Sequence, residues 1–473
     1  MDGSGTVDLT AALTAIGVPD RVETPLGAFE FFDGVPLPES TSKLYDGLDF
    51  VRGIDAFLNA VPGASLVAMR RGLRSVGVDG LNVLGVTDPR ANSASLFLTP
   101  NTATAYGTMF IDLHDGPVVI EPPTNSLCVV DDFWFRYVTD MGIAGPDKGQ
   151  GGKYLFLPPG YTGDEPDGYF ICRTTTFTNW VVFRALDGIE AVKQSRVYRL
   201  SDASAPPEMT FVNLAEEVFN TVHANDISFF GEVDELIQEE PPGSLDPERA
   251  GQLAGIGIKH GRPFEPDDRL KKILDSAAKT AAGISRALAY FPRGTENFTF
   301  EGASWKDGFV GGSYEFLHEH ARLLDARTLF HYVATVITPA MAHAQVGAGS
   351  AYTYTAEDSQ GRLLDGAKTY RLVLPPNPPA KNFWSVDVYD TQTRSLLQTD
   401  NPYPSVMSLS GTVQEENDGS IVLWFGPTAP AGKEANWIQT VAGKSWFPIL
   451  RLYGPLQPWF DKSWQPGEIE EAR

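Results

Sequence analysis

The feature that most constrains this chain is its hydrophobic period, which changes twice along the sequence. From 94 to 200, apolar residues recur at every second position in short runs, with turn clusters such as HDGP and GDEPDG between them. That alternation suits pleated strands, whose side chains point to opposite faces in turn. From 205 to 345 the spacing becomes three and four. The stretch DDRLKKILDSAAKTAAGISRALAYF opens on acids, as a helix N-terminus prefers. In it Leu270, Ile273, Leu274, Ala277, Ala281, Ile284 and Leu288 form one apolar stripe. A second helical stretch is expected from Tyr314 to Ile337. From 350 to 460 the period of two returns in KTYRLVLP, NFWSVDVYD, SIVLWFG and FPILRLYG. The order is therefore β, α, β, with no internal repeat, and the fold class is α+β and multidomain.

The expected divisions are an N-terminal arm with short helices (1–80), a first β domain (81–204), a helical region (205–348) and a C-terminal β domain (349–473). Within the first, FVRGIDAFLNAVP and ASLVAMRRGLRSVG read as two short helices broken at Pro62.

A formal net charge of −23 argues against nucleic acid and anionic membrane as partners, since both need a basic face. Two cysteines, Cys128 and Cys172, lie in strand-like runs and read as buried free thiols. No secretory signal or membrane span is read at the start, so a cytoplasmic location is expected. A homo-oligomer is the base-rate expectation for such a chain.

The stretch DDFWFRYVTD at 131–140 puts three acids and an arginine among aromatics. Taken as one extended strand over 128–140, it carries Asp132, Trp134, Arg136, Val138 and Asp140 on one face. Asp132 and Asp140 then stand roughly 26 Å apart, so only part of the face can meet one ligand. In the same way 102–112 reads as a strand with Thr102, Thr104, Tyr106, Thr108, Phe110 and Asp112 on a hydroxyl-rich face, after a bend at Pro100 and Asn101. Such a face suits a small polar ligand, and it suits solvent equally. The charged strand has two equal readings: a ligand face, or cross-strand and interdomain ion pairs.

Other patterns carry less. His318, His320, His331 and His343 lack the spacing of three or four that helical metal ligands need. His223 is a lone candidate for proton transfer, with a helix cap as the plainer role. GIGIKHG lacks dinucleotide-loop spacing, and Gly443-Lys444-Ser445 lacks the upstream glycine of a phosphate loop. The loop GPDKGQGGKYLFLPPGY offers Asp147, Lys148 and Lys153 to a ligand, or simply connects strands. Arg451 is expected to pair with Asp387 or Asp390 and to fix domain packing. Trp437 reads as a packing anchor. No metal or cofactor is called for.

Several segments together resemble the bacterial family that pairs domains of unknown function 1254 and 1214. They are LTPNTATAYGTMFIDLHDGPVVIEPP, the stretch from DDFWFRYVTD to DEPDGYF, and FWSVDVYDTQTRSLLQT through NWIQTVAGKSWFPILRLYGPLQPWFDKSWQPGEIE. The resemblance implies two antiparallel jelly-roll-like β-sandwich regions with a helical part between them. It implies no activity. Relatives carry an acid in a motif of the type TPNNDT, where this chain has Ala103.

Two functions follow as expectations. One is an enzyme acting on a small polar molecule or glycan fragment by acid/base chemistry, as a hydrolase or lyase. In it Tyr106 and Asp132 would handle protons, and Asn101, Thr104, Trp134, Arg136 and Lys153 would hold substrate. The other is a non-catalytic carbohydrate or small-ligand binder. A purely structural role for the charged face is the third outcome.

Overall fold

The computed structural model describes residues 8–472. Among them the helices are Leu9–Ile16 (α1), Pro38–Ser75 (α2), Ile189–Val192 (α3), Ser228–Glu239 (α4), Pro247–Gly255 (α5), Asp268–Tyr290 (α6), Leu324–Val333 (α7), Pro339–Ala342 (α8) and Gln457–Phe460 (α9). The strands form two large β units, so the chain is a mixed α+β, multidomain protein.

The first unit has two sheets. One has six strands, in the order Thr210–Asn213, Val83–Val86, Gly107–Asp112, Thr178–Phe183, Leu127–Asp132, Tyr137–Gly142. The other has four, in the order Phe170–Arg173, Tyr154–Leu157, Val118–Glu121, Arg196–Arg199. Alternation decides the faces: Val118 and Ile120 join the main core with Met109, Ile111 and Val130 of the larger sheet, whereas Val119 joins Leu155 and Leu157 in an outer cluster. The second unit pairs two four-stranded sheets. Val386, Leu450 and Leu452 of one share a core with Leu372, Leu423 and Phe425 of the other.

The expected helix at 268–290 is present, capped by Asp267, whose carboxylate accepts the Leu270 N–H at 2.7 Å. Its stripe faces α2, the central helix of the molecule. Here two expectations fail. The segment 46–75 is not two short helices but part of one 38-residue helix that runs through Pro62. A proline leaves the carbonyl four residues earlier, here that of Leu58, without its donor, at a cost of about 3 kcal/mol in an isolated helix. A tertiary donor meets it: Thr328 Oγ1 lies 3.5 Å from the Leu58 carbonyl, and the neighbouring Asn59 carbonyl accepts from Arg249 Nη2 at 2.8 Å. The stretch 314–323 is not helical; it holds a short hairpin, Leu317–His318 with Ala321–Arg322, and α7 begins only at Leu324. Positive φ at Phe316 and Glu319 breaks the helical path.

The charged stretch at 128–140 is not one strand either. It is a hairpin in which Cys128 pairs with Met141 and Val129 with Asp140. Asp132 closes it: one carboxylate oxygen accepts the N–H groups of Trp134 and Arg136, each at 2.9 Å, and the other accepts Arg136 Nε at 2.7 Å. Phe135 takes φ 60° to complete the reversal. The turn drives three aromatics into the helical layer. Phe133 lies under Arg70, with 4.5 Å from guanidinium to ring centroid. Phe135 packs on Trp180 and His331. Trp134 is 2% exposed, donates its indole N–H to Ser244 Oγ at 3.1 Å, and lies against α2 at Gly63.

A Cβ at Gly63 would fall 2.9 Å from the Trp134 ring and 2.7 Å from Leu236 Cδ1. Gly63→Ala should therefore destabilise the protein by about 1–3 kcal/mol through overpacking, despite the better helix propensity of alanine. The shift of the urea midpoint measures it. A neutral or stabilising result would mean that Trp134 does not press on α2 there.

Candidate functional site

Residues 102–106 do not extend the strand as expected; they belong to an irregular connection, and the strand begins at Gly107. The reason is a turn built by Asn101, whose Oδ1 accepts the Ala103 N–H at 2.7 Å. Thr99, at φ 36°, sets the bend before it. The C-terminal unit grips this connection from several sides. Thr99 N–H donates to the Arg394 carbonyl at 2.8 Å, and Tyr389 OH donates to the Pro100 carbonyl at 2.6 Å. Thr102 Oγ1 donates to Asp387 Oδ1 at 2.5 Å, and Arg451 Nη1 to Asp387 Oδ2 at 2.6 Å. The pairing of Arg451 with Asp387 is as expected.

A cavity of about 210 Å³ lies along this seam, with a mainly apolar lining. The six-stranded sheet supplies Trp180 and Val182, and Arg184 follows them at the same two-residue interval just past the strand end. The seam supplies Asn101 and Tyr106, the stretch around α8 supplies Thr338 and Met341, and the C-terminal unit supplies Tyr352 and Arg451. Trp180 has its indole N–H satisfied by Thr108 Oγ1 at 2.7 Å, so it offers the cavity an apolar face.

Three polar groups give the cavity its chemistry. The Arg184 guanidinium makes no hydrogen bond or ion pair among the described residues, and its Nε is buried without a partner. It faces the rings of Tyr106 and Tyr453, 5.9 and 5.4 Å from their centroids. Burial opposes its charge, but the Tyr106, Tyr453 and Tyr352 hydroxyls more than offset this and raise its pKa. Second, Asn101 Nδ2 donates to Tyr106 OH at 3.2 Å and to Tyr453 OH. Both amide protons are thus used, and each phenol keeps its own proton to donate. Third, Asp140 has a raised pKa because it is buried, against the opposing bonds from Thr338 and Tyr137. Cys128 also lines the cavity; burial lifts its thiol to about 11, so it is unreactive.

Of the residues singled out in the sequence, the structure brings Asn101 and Tyr106 together on this cavity. Thr104 lies in the same connection, its hydroxyl buried without a partner among the described residues, but it is not in the lining. Asp132, Trp134 and Arg136 form the hairpin turn against the helices. Lys153 is half-exposed, 3.8 Å from Glu121. Asp147 spends its carboxylate on its own loop, accepting from the Gly142 and Gly151 N–H groups and Tyr154 OH. His223 is buried and neutral, its pKa lowered to about 3 by burial and then by Arg394. Trp437 anchors packing by donating to the Gly426 carbonyl at 3.0 Å. Both cysteines are free and buried. Among the described helices, none is long and apolar enough to cross a membrane. Sequence reading missed Arg184, Asp140 as a cavity acid, and Tyr352. The signal for Arg184 was present in NWVVFR, where the cation falls on the same face as Trp180 and Val182.

None of the curated proteins matches the chain. Among solved structures, the VPA0106 protein of Vibrio parahaemolyticus is similar at 18% identity and a TM-score of 0.50, over 89% of this chain and 100% of that one. An uncharacterised protein of Burkholderia cenocepacia is similar at 13% identity and a TM-score of 0.39, over 92% and 97%. The first likeness concerns the fold alone. Residues 81–203 match the protein of unknown function DUF1254, and residues 349–457 match the protein of unknown function DUF1214. The chain thus carries both domains of unknown function, 1254 and then 1214, the pairing that its sequence motifs resemble.

Proposed function

We propose that this protein binds a small molecule with an apolar body and a carboxylate-like anionic group in the cavity between its β units. The observation that carries the reading is Arg184: a guanidinium whose Nε is buried, without a carboxylate partner among the described residues, in the wall of a mainly apolar cavity. Burying a charge without a counter-charge is costly. A ligand anion relieves that cost, and the free protons of Tyr106 and Tyr453 add two donors beside the cation. The apolar lining favours a hydrophobic body over a glycan fragment, which would leave its hydroxyls unpaired. Both β units pair two sheets around a core, which suits the jelly-roll-like reading of the family.

Asp140 supports a second reading, acid/base turnover of that ligand. Burial favours the protonated form of this carboxyl, which suits a group that gives and takes a proton. Tyr106 is the second proton-handling group within the same lining.

Binding of a panel of aryl and alkyl carboxylates, followed by calorimetry, tests the first reading. Arg184→Met should weaken binding about 10- to 100-fold, the worth of a charge-assisted hydrogen bond of about 1.5–3 kcal/mol, with the fold retained by circular dichroism. Unchanged affinity in a folded variant would remove Arg184 from the site. Tyr106→Phe should cost only several-fold, about 0.5–1.5 kcal/mol for one neutral donor. If the ligand is turned over, Asp140→Asn should abolish turnover and leave binding within a few-fold. Turnover persisting in that variant would leave binding as the sole function.

A further inference from the structure

A second group of cations lies away from the cavity, where the hairpin turn at 133–136, α2, α5 and α7 meet. Arg249 projects from α5 and Arg327 from α7, and both converge on Asn59 of α2. Arg249 Nη2 donates to the Asn59 carbonyl at 2.8 Å, and Arg327 Nη2 to its side-chain oxygen at 2.6 Å. Neither guanidinium has an ion pair among the described residues, and the Nε of each is buried without a partner.

Asp132, Asp246 and Asp55 lie near enough to favour the two charges, but none of them pairs directly with either guanidinium among the described residues. Arg136 and Arg322 stand near enough to weigh on the same pair. The carboxylates in range are engaged elsewhere. Asp132 holds Arg136 and the hairpin turn. Asp246 caps α5 by accepting the Arg249 N–H at 3.0 Å. Asp55 accepts from Asn59 Nδ2 at 3.0 Å. Burial, followed by neighbouring guanidinium groups, lowers the pKa of both Arg249 and Arg327. His331, buried beside Phe135, also has Nδ1 without a partner, and burial and these arginines keep it neutral. Arg249 also lies over the Trp134 ring, 5.3 Å from its centroid.

We infer that Arg249 and Arg327, held side by side by Asn59, form a binding site for a tetrahedral oxyanion of the phosphate class, separate from the cavity at the seam. Two planar forks with free N–H groups suit several oxygens of one anion. The site is notable in a protein of net charge −23, whose outer surface repels anions. The anion could be free phosphate or a phosphomonoester, which share this chemistry.

The test is thermal denaturation and calorimetry with orthophosphate, glycerol 3-phosphate and sulfate, against chloride and acetate at equal ionic strength. The tetrahedral anions should raise the melting temperature of the wild type beyond chloride. Arg327→Gln and Arg249→Gln should each weaken binding at least about tenfold, and Arg184→Met should leave it unchanged. A response to glycerol 3-phosphate alone identifies a phosphomonoester site; an equal response to orthophosphate identifies a site for the bare anion. If either glutamine variant fails to fold, phosphorus-31 line broadening with the wild type, and its reduction in Arg327→Lys, decides instead. No stabilisation of the wild type beyond chloride, or a response that survives in both arginine variants, overturns the inference.

Discussion

The contact on which the arrangement depends is the buried carboxylate of Asp387. One oxygen takes the Arg451 guanidinium of its own β unit, and the other takes the Thr102 hydroxyl of the opposite one. A lone buried ion pair is weak evidence for stability, because desolvation offsets most of the attraction. This one has a positional consequence. It fixes the connection 99–106 against the C-terminal unit, and that connection carries Asn101 and Tyr106 onto the cavity wall. Removing one partner would leave a buried charge unpaired, a loss of about 3–5 kcal/mol. The site therefore belongs to neither β unit alone.

Much of the architecture is legible in the sequence, because it follows from period. The β, α, β order, the 268–290 helix with its acid cap, and the partnership of Arg451 with an acid in NFWSVDVYD are all readable from residue spacing. What cannot be read is where tertiary contacts override local rules. The hairpin at 128–142 has no Gly, Pro or Asn at its turn, so alternation runs through it unbroken. Asp132 makes the reversal, and a non-glycine residue, Phe135, adopts the left-handed conformation. Pro62 should end a helix and does not; Thr328, 270 residues beyond Leu58, meets the freed carbonyl, and Arg249, 190 residues beyond Asn59, meets the next one.

The same distinction explains the site. Asn101 and Tyr106 were visible as a polar cluster after a bend. The four residues chosen from the charged strand and the glycine-rich loop were polar for structural reasons: closing a turn, anchoring an indole, or pairing at an edge. Arg184 looked like an ordinary end to an apolar strand. What sets it apart is the partner it lacks among the described residues, a property of three-dimensional surroundings that no residue spacing encodes.

The junction at Pro62 has a consequence for how the chain comes into being. A growing polypeptide emerges from the ribosome N-terminus first, so Asn59 and Leu58 are exposed long before Arg249 and Thr328 exist. The later of the two donors, Thr328, is added only when more than two thirds of the protein has been synthesised. Until then the carbonyls beside the proline have only water, or the chain made so far, to meet them.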